Sequence, residues 1–269
     1  MRLKKSGGNI MIEDKLAIIL YTSTKGHFGY KNCYKHTVKR MQSVIPFFGE
    51  YAKISHIKYS ENEEKQLSEM KSFLNENGFE VICSKGNWSH GNNSHANGYY
   101  KDMLTALSTS TVHKYNYILK MEDDWLLNFD NSYTQAVSKA ISFLEEDVNA
   151  LCVRINHDIN DDLSKANEKV SGYIYQQGLN YTQYGPTFTF QPTIVKLKEW
   201  YHSVRLINKQ IDKDPSLLNK IHCEIISGET LKLFSDYKSP FFFFNPKIIN
   251  AKHIGQEDEI NKLKQYDIL

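Results

Sequence analysis

Short apolar runs alternate with stretches of helical period through the first half of the chain. Lys15 to Tyr21 holds the unbroken run Leu-Ala-Ile-Ile-Leu and ends in Thr22-Ser23-Thr24. This predicts a central parallel strand, buried on both faces. A loop from Thr24 to Gly29 follows, then a helix of about four turns reaching Pro46. Tyr51 to Tyr59 reads as a second strand, and Ser60-Glu61-Asn62-Glu63 as a capping box for the next helix. Leu67, Met70, Phe73 and Leu74 share one face of that helix, and Asn77-Gly78 closes it with glycine as C-cap. Phe79 to Cys83 is a third strand. Strand, helix and strand in this rhythm predict a mostly parallel α/β sheet flanked by helices.

Ser84 to Asn97 is polar, rich in Gly and Asn, and carries Lys85, Trp88, His90 and His95. A loop of this length is either functional, as a donor-binding or lid loop, or a surface loop. Tyr100, Met103, Leu104 and Leu107 mark an amphipathic helix, with Lys101 and Asp102 near its start. Then Tyr117 to Leu127 reads as a buried strand that runs into Glu122-Asp123-Asp124 and Trp125. Asn131 to Glu146 is predicted as a helix, Ala150 to Ile155 as a strand, and Asn156 to Lys169 as a loop. From Gly172 to Val195 the texture changes to short runs punctuated by Gly185, Pro186 and Pro192, which predicts a mixed or antiparallel part. Lys196 to Asn208 is predicted helical. Asp214-Pro215 is expected to open a further helix containing Glu224 and Glu229. Pro240 to Pro246 reads as a buried strand. The expected organisation is a flexible leader (1–14), a single domain (15–255) and a charged tail (256–269). The domain divides into a first half (about 15–127) and a second half (about 128–255).

Three adjacent carboxylates repel one another, and a divalent cation would resolve the repulsion. Carboxylate oxygens suit Mg²⁺ or Mn²⁺, which also bind substrate phosphates. In open α/β sheets ligands bind beyond the carboxyl ends of strands, where these acids fall. A solvated acidic turn is the simpler alternative. The chain has 269 residues and a formal net charge of +2, which offers no electrostatic case for a nucleic-acid partner. Cys33, Cys83, Cys152 and Cys223 are scattered without zinc-ligand spacing, which suggests free thiols, a reducing compartment and a cytoplasmic location. Met1 to Gly8 has a basic start without an apolar run behind it, so no signal peptide is expected, and no stretch has the length of a membrane span.

A βαβ half, a mid-chain strand ending in an acidic triplet, a mixed second half and a late Lys252-His253-Ile254-Gly255 together resemble the GT-A nucleotide-sugar glycosyltransferases. The resemblance spans roughly Lys15 to Gly255 and rests on order and spacing. It implies a GT-A-like fold and a DxD-type motif in Glu122-Asp123-Asp124, with Glu in the first position. It also implies Mn²⁺ or Mg²⁺ at Asp124 and His253, and Glu122 on the ribose or the metal shell. Tyr21, Thr22, Ser23, Lys101 and Asp123 fall to the nucleotide side. Thr187 to Trp200 would line the acceptor side. Glu224 is the implied general base of an inverting reaction, with Glu229 in reserve. The expected substrates are a nucleoside-diphosphate sugar, UDP-linked in the first instance, and a glycan or other hydroxyl acceptor. A nucleotidyltransferase or phosphoesterase is the competing enzyme class. It would need a second acidic cluster, for which Asp158, Asp161 and Asp162 are the candidates. A non-catalytic carbohydrate-binding protein is the third alternative.

Overall fold

The computed structural model describes residues 14–26, 30–45, 47–86, 94–129, 136–155, 163–170, 173–180, 183, 185–254 and 257–266. Its centre is a nine-stranded sheet with α-helices on both faces. Strand β1 (Leu16–Ser23) lies between β2 (Ala52–Tyr59) and β4 (Tyr117–Glu122), parallel to both, and β3 (Phe79–Lys85) extends the sheet beyond β2. The continuous apolar run of β1 follows from this place, because both of its faces are covered. Leu16, Ile18 and Leu20 pack with Tyr34, Val38 and Met41 of α1 (Cys33–Val44) and with Met70 and Leu74 of α2 (Glu64–Glu76). Ala17, Ile19 and Tyr21 face Tyr100, Met103 and Leu107 of α3 (Ser94–Leu107).

The second half is mixed, as its texture predicts. Beyond β4 the sheet runs through β9 (Thr193–Lys196), β6 (Cys152–Arg154), β10 (Phe241–Phe244), β8 (Ile174–Gln177) and β7 (Ala166–Lys169). β9 is antiparallel to both β4 and β6, whereas β10 is parallel to β6 and antiparallel to β8. A separate antiparallel ribbon joins β5 (Trp125–Phe129) to β11 (Ile249–His253). Helix α1 fastens this ribbon, with Arg40 Nε donating to Leu127 O at 2.6 Å. Helix α4 (Ala136–Glu146) buries Val137, Ala140, Ile141 and Leu144 on the β1–α1 side of the sheet.

Several local expectations need correction. The Ser60 capping box forms only in part: the Glu63 carboxylate takes the Ser60 N–H, but α2 starts later than the box predicts. Glu63 is the N-cap of α2, without a side-chain cap bond, and Asn62 turns the chain at φ 67°. The Glu63 carboxylate also accepts from Thr24 Oγ1 and, at 3.1 Å, from Lys31 Nζ. Helix α5 (Leu197–Lys213) continues past Asn208, because Trp200, Val204, Ile207 and Ile211 keep one buried stripe. Asp214 ends that helix and opens the next turn, its Oδ1 accepting from Ser216 N and its carbonyl from Leu217 N, both at 3.0 Å, but the helix that follows stops before Glu224. The short α6 (Leu217–Lys220) precedes α7 (Cys223–Lys232), whose N-cap is His222. Residues 166–169 form a strand where a loop is predicted. The charged tail contains α8 (Glu257–Tyr266), with Ile260 fully buried beside Tyr30, Cys33 and Ile254. Gly78, at φ +79° after α2, has the left-handed conformation expected of it.

All four cysteines are free, Cys33 and Cys152 buried and the other two half-buried. No described helix is long and apolar enough to cross a membrane. The leader up to residue 13, Trp88, His90, the side chain of His95, the first residues of the helix predicted from Asn131, and Asp158, Asp161 and Asp162 lie outside the described residues.

Candidate active site

Side chains alternate along β4, and the alternation decides which acid faces what. Leu119 and Met121 point into the core on the α1 side, and Ile118 into the core on the α3 side. Lys120 and Glu122 therefore continue the α3 face, so Glu122 emerges at the strand end next to α3. The chain then turns through Asp123 and Asp124 into β5.

The three acids of the triplet do different things. Asp123 is buried and ties the ends of β1 and β4 together. Its Oδ2 accepts from Thr22 Oγ1 at 2.5 Å, its N–H donates to Tyr21 O at 3.1 Å, and its carbonyl accepts from Thr37 Oγ1 at 2.7 Å. Asp124 meets His253, with 2.9 Å between its Oδ2 and the imidazole Nε2 across 129 positions of sequence. The ribbon enforces this meeting, because His253 pairs with Trp125 in the β5–β11 ladder. The two rings lie 4.7 Å apart, and Ile254 N–H donates to Asp124 O at 2.7 Å. Glu122 accepts from Tyr99 OH at 2.5 Å and lies 3.6 Å from the Lys120 ammonium. Burial raises the Glu122 carboxyl above its ordinary range, and Lys120 opposes that shift.

Asp124 and His253 are the side chains here that could contribute to holding a divalent cation. Asp124 and His253 offer one carboxylate oxygen and one imidazole nitrogen 2.9 Å apart. Neighbouring ligands on an octahedron with bonds of about 2.1 Å stand about 3 Å apart. Among the described residues no three His, Cys, Asp or Glu side chains converge on one point. An ion held here would complete its shell with water and substrate oxygens, as Mg²⁺ commonly does.

The remaining predicted site residues divide. Tyr21 is buried against Tyr99 and His56, and burial raises its phenol, with the Asp102 and Glu122 carboxylates adding to the shift. Thr22 is committed to Asp123, and Ser23 accepts from Lys25 N at 3.2 Å in the turn after β1. Lys101 is exposed, 3.7 Å from Asp212 of α5. Glu224 lies in the first turn of α7, and its Oε1 accepts from Phe190 N–H at 3.0 Å. Its side chain is 31% exposed, so one side is held while the other meets solvent. Glu229 is exposed and pairs with Lys232 at 2.8 Å one turn on.

Sequence reasoning misses Lys120, Tyr99 and Phe190. Lys120 has a fully buried side chain, and its Nζ donates to Phe190 O at 3.0 Å. Burial lowers its pKa, and the carboxylates of Glu122, Glu224 and Asp124 act the other way. A signal for it exists: a lysine inside the run Tyr-Ile-Leu-Lys-Met, two residues before an acid, must be buried and paired on the same strand face.

No family model matches the chain, and no curated protein matches it in sequence. Among solved structures it is similar to TarS from S. aureus, at 12% identity and a TM-score of 0.47. That overlap takes in 85% of this chain, which spans 36% of the TarS chain. It is similar also to a protein described as a mannose-1-phosphate geranyltransferase from Thermus thermophilus, at 9% identity and a TM-score of 0.48, over 90% of this chain and 76% of that one. A third neighbour, assigned as a glucose-1-phosphate thymidylyltransferase of Bacillus anthracis, gives 10% identity and a TM-score of 0.46 over 93% and 94% of the two chains.

Proposed function

We propose that the chain is a metal-dependent glycosyltransferase that moves a sugar from a nucleoside-diphosphate sugar to a hydroxyl acceptor with inversion. The observation that carries this is the meeting of Asp124 and His253 at the carboxyl end of the sheet, beside Glu122. That is where open α/β sheets place ligands. Asp124 and His253 would hold Mn²⁺ or Mg²⁺, which when bound offsets the charge of the leaving diphosphate. Glu122, steadied by Tyr99, would face the nucleotide ribose. Tyr21 and Thr22 close the floor of the donor side through their links to Tyr99 and Asp123.

Glu224 takes the role of base. Phe190 N–H fixes its Oε1, and its partial exposure leaves the carboxylate within reach of an acceptor. In the step it serves, the acceptor oxygen bonds to the anomeric carbon as the bond from that carbon to the phosphate oxygen breaks. The carboxylate takes the hydroxyl proton, and the electron pair leaves on the diphosphate. Glu229, turned to solvent and paired with Lys232, is the weaker candidate.

Glu224→Gln tests the assignment. The amide carbonyl still accepts from Phe190 N–H, so the fold is retained. Turnover of nucleotide sugars is expected to fall roughly 10²–10⁴-fold while nucleotide binding is unchanged. Full turnover by Glu224→Gln would place the base elsewhere.

A further inference from the structure

Lys120 is fully buried, and a buried ammonium is costly unless it is paired and hydrogen-bonded. It lies 4.7 Å from the ring centre of Phe190, 5.8 Å from that of Tyr99 and 6.0 Å from that of Tyr21, and these ring faces offset part of the cost. Its donated bond goes to Phe190 O at 3.0 Å, and Glu122 stands 3.6 Å away.

The other backbone group of Phe190 is committed as well, since its N–H donates to Glu224 Oε1 at 3.0 Å. Residues 187–192 belong to no strand; Pro192 O accepts from Ile155 N–H at 2.8 Å, while at Phe190 both backbone groups are held by side chains. The start of the segment is fixed in the same way. Thr187 N–H donates to Gln177 Oε1 at 3.1 Å, Thr187 Oγ1 donates to Glu224 O at 3.2 Å, and Phe188 stacks on Trp200 at 4.4 Å. A continuous chain of contacts thus runs from Glu122 through Lys120 and Phe190 to Glu224. It joins the nucleotide side of the site to the base.

We infer that Lys120 is a positioning residue, which sets Phe190 and through it the Glu224 carboxylate without touching the donor. This rests on the reading of Glu224 as the base. Lys120 stands behind the site, so its removal loosens Phe190 and the acceptor side, and it also takes from Glu122 the ammonium 3.6 Å away.

The experiment is hydrogen exchange on the full chain, comparing wild type with Lys120→Met, whose unbranched stem suits the same cage. The Phe190 amide is expected to exchange roughly tenfold faster or more, the scale of one lost buried hydrogen bond. Amides of β1 and α5 keep their rates, and UDP with Mn²⁺ still gives a thermal shift, smaller because Glu122 has lost its neighbouring ammonium. Lys120→Arg, which keeps the charge and the donor, recovers part of the protection. In turnover, kcat falls by a larger factor than the KM for the donor rises. Unchanged exchange at Phe190 overturns the inference, and so does faster exchange throughout β1, which would mark a purely structural lysine. A lost nucleotide shift with Phe190 still protected would assign Lys120 to the donor instead. If wild type shows no nucleotide shift at all, the glycosyltransferase reading fails, while the exchange data still decide the link to Phe190. Should Lys120→Met not fold, Lys120→Leu probes the same link: faster exchange at Phe190 with β1 unaltered supports it, and an unaltered Phe190 rate overturns it.

Discussion

Thr22→Val isolates the structural half of the acidic triplet. Thr22 is fully buried, Asp123 is 4% exposed, and the bond between them is 2.5 Å long. Valine keeps the branched shape and suits a strand, so the exchange opens no cavity. What is lost is one hydrogen bond to a carboxylate, worth about 1.5–3 kcal/mol when the partner stays buried. The Asp123 backbone keeps its bonds to Tyr21 and Thr37, which confines the loss to that single interaction. For a chain of this size the loss corresponds to a melting temperature lower by roughly 3–12 °C. Urea unfolding followed by circular dichroism gives the free energy, and an unchanged m-value would show that the unfolding reaction itself is the same. A change below about 0.5 kcal/mol, the range of ordinary surface substitutions, would refute the idea that Asp123 clasps β1 to β4.

Two further outcomes concern pH and the last helix. Burial lowers the pKa of His56 below its ordinary 6.5, with the Asp102 carboxylate opposing and the Lys58 ammonium adding to the shift. The unfolded chain therefore takes up a proton that the folded chain refuses. Stability should fall as pH drops below about 6.5 and level off below the folded pKa, and His56→Asn should flatten that slope in urea unfolding from about pH 7 to about pH 5. An equal slope in the variant would remove His56 as its source. Ile260→Ala should cost the docking of α8 about 2–5 kcal/mol, so brief proteolysis cuts α8 first and leaves the sheet intact. An unchanged cleavage pattern would mean that α8 is held by other contacts.

The strands and helices that bury one continuous run or stripe were legible in the sequence. β1 shows itself by five apolar residues in a row, and α2 by Leu67, Met70, Phe73 and Leu74. The acidic triplet could be placed at a strand end because the apolar residues of β4 stop there. Its internal division could not. The side chain partnering Asp123 is Thr22, 101 positions earlier, and only the parallel pairing of β1 with β4 brings them together. The same holds for Phe190, whose position depends on two side chains from distant elements and on no periodicity of its own. Helix α8 escaped notice because its charged composition outweighs one buried isoleucine. The start of α2 differs from the Ser60 reading for a local reason: Asn62 adopts a left-handed turn that moves the N-cap to Glu63.

The most direct test of the central claim is a thermal-shift measurement of wild type, Asp124→Ala and His253→Ala with UDP, GDP and CMP and their sugars, each with and without Mn²⁺. Binding to the native state raises its apparent stability, by about 2.7 kcal/mol at a hundredfold excess over Kd. The account predicts a shift with one nucleotide class, present only with Mn²⁺ in wild type and lost in both variants. A shift that is equal without metal, or that survives in Asp124→Ala, would contradict it.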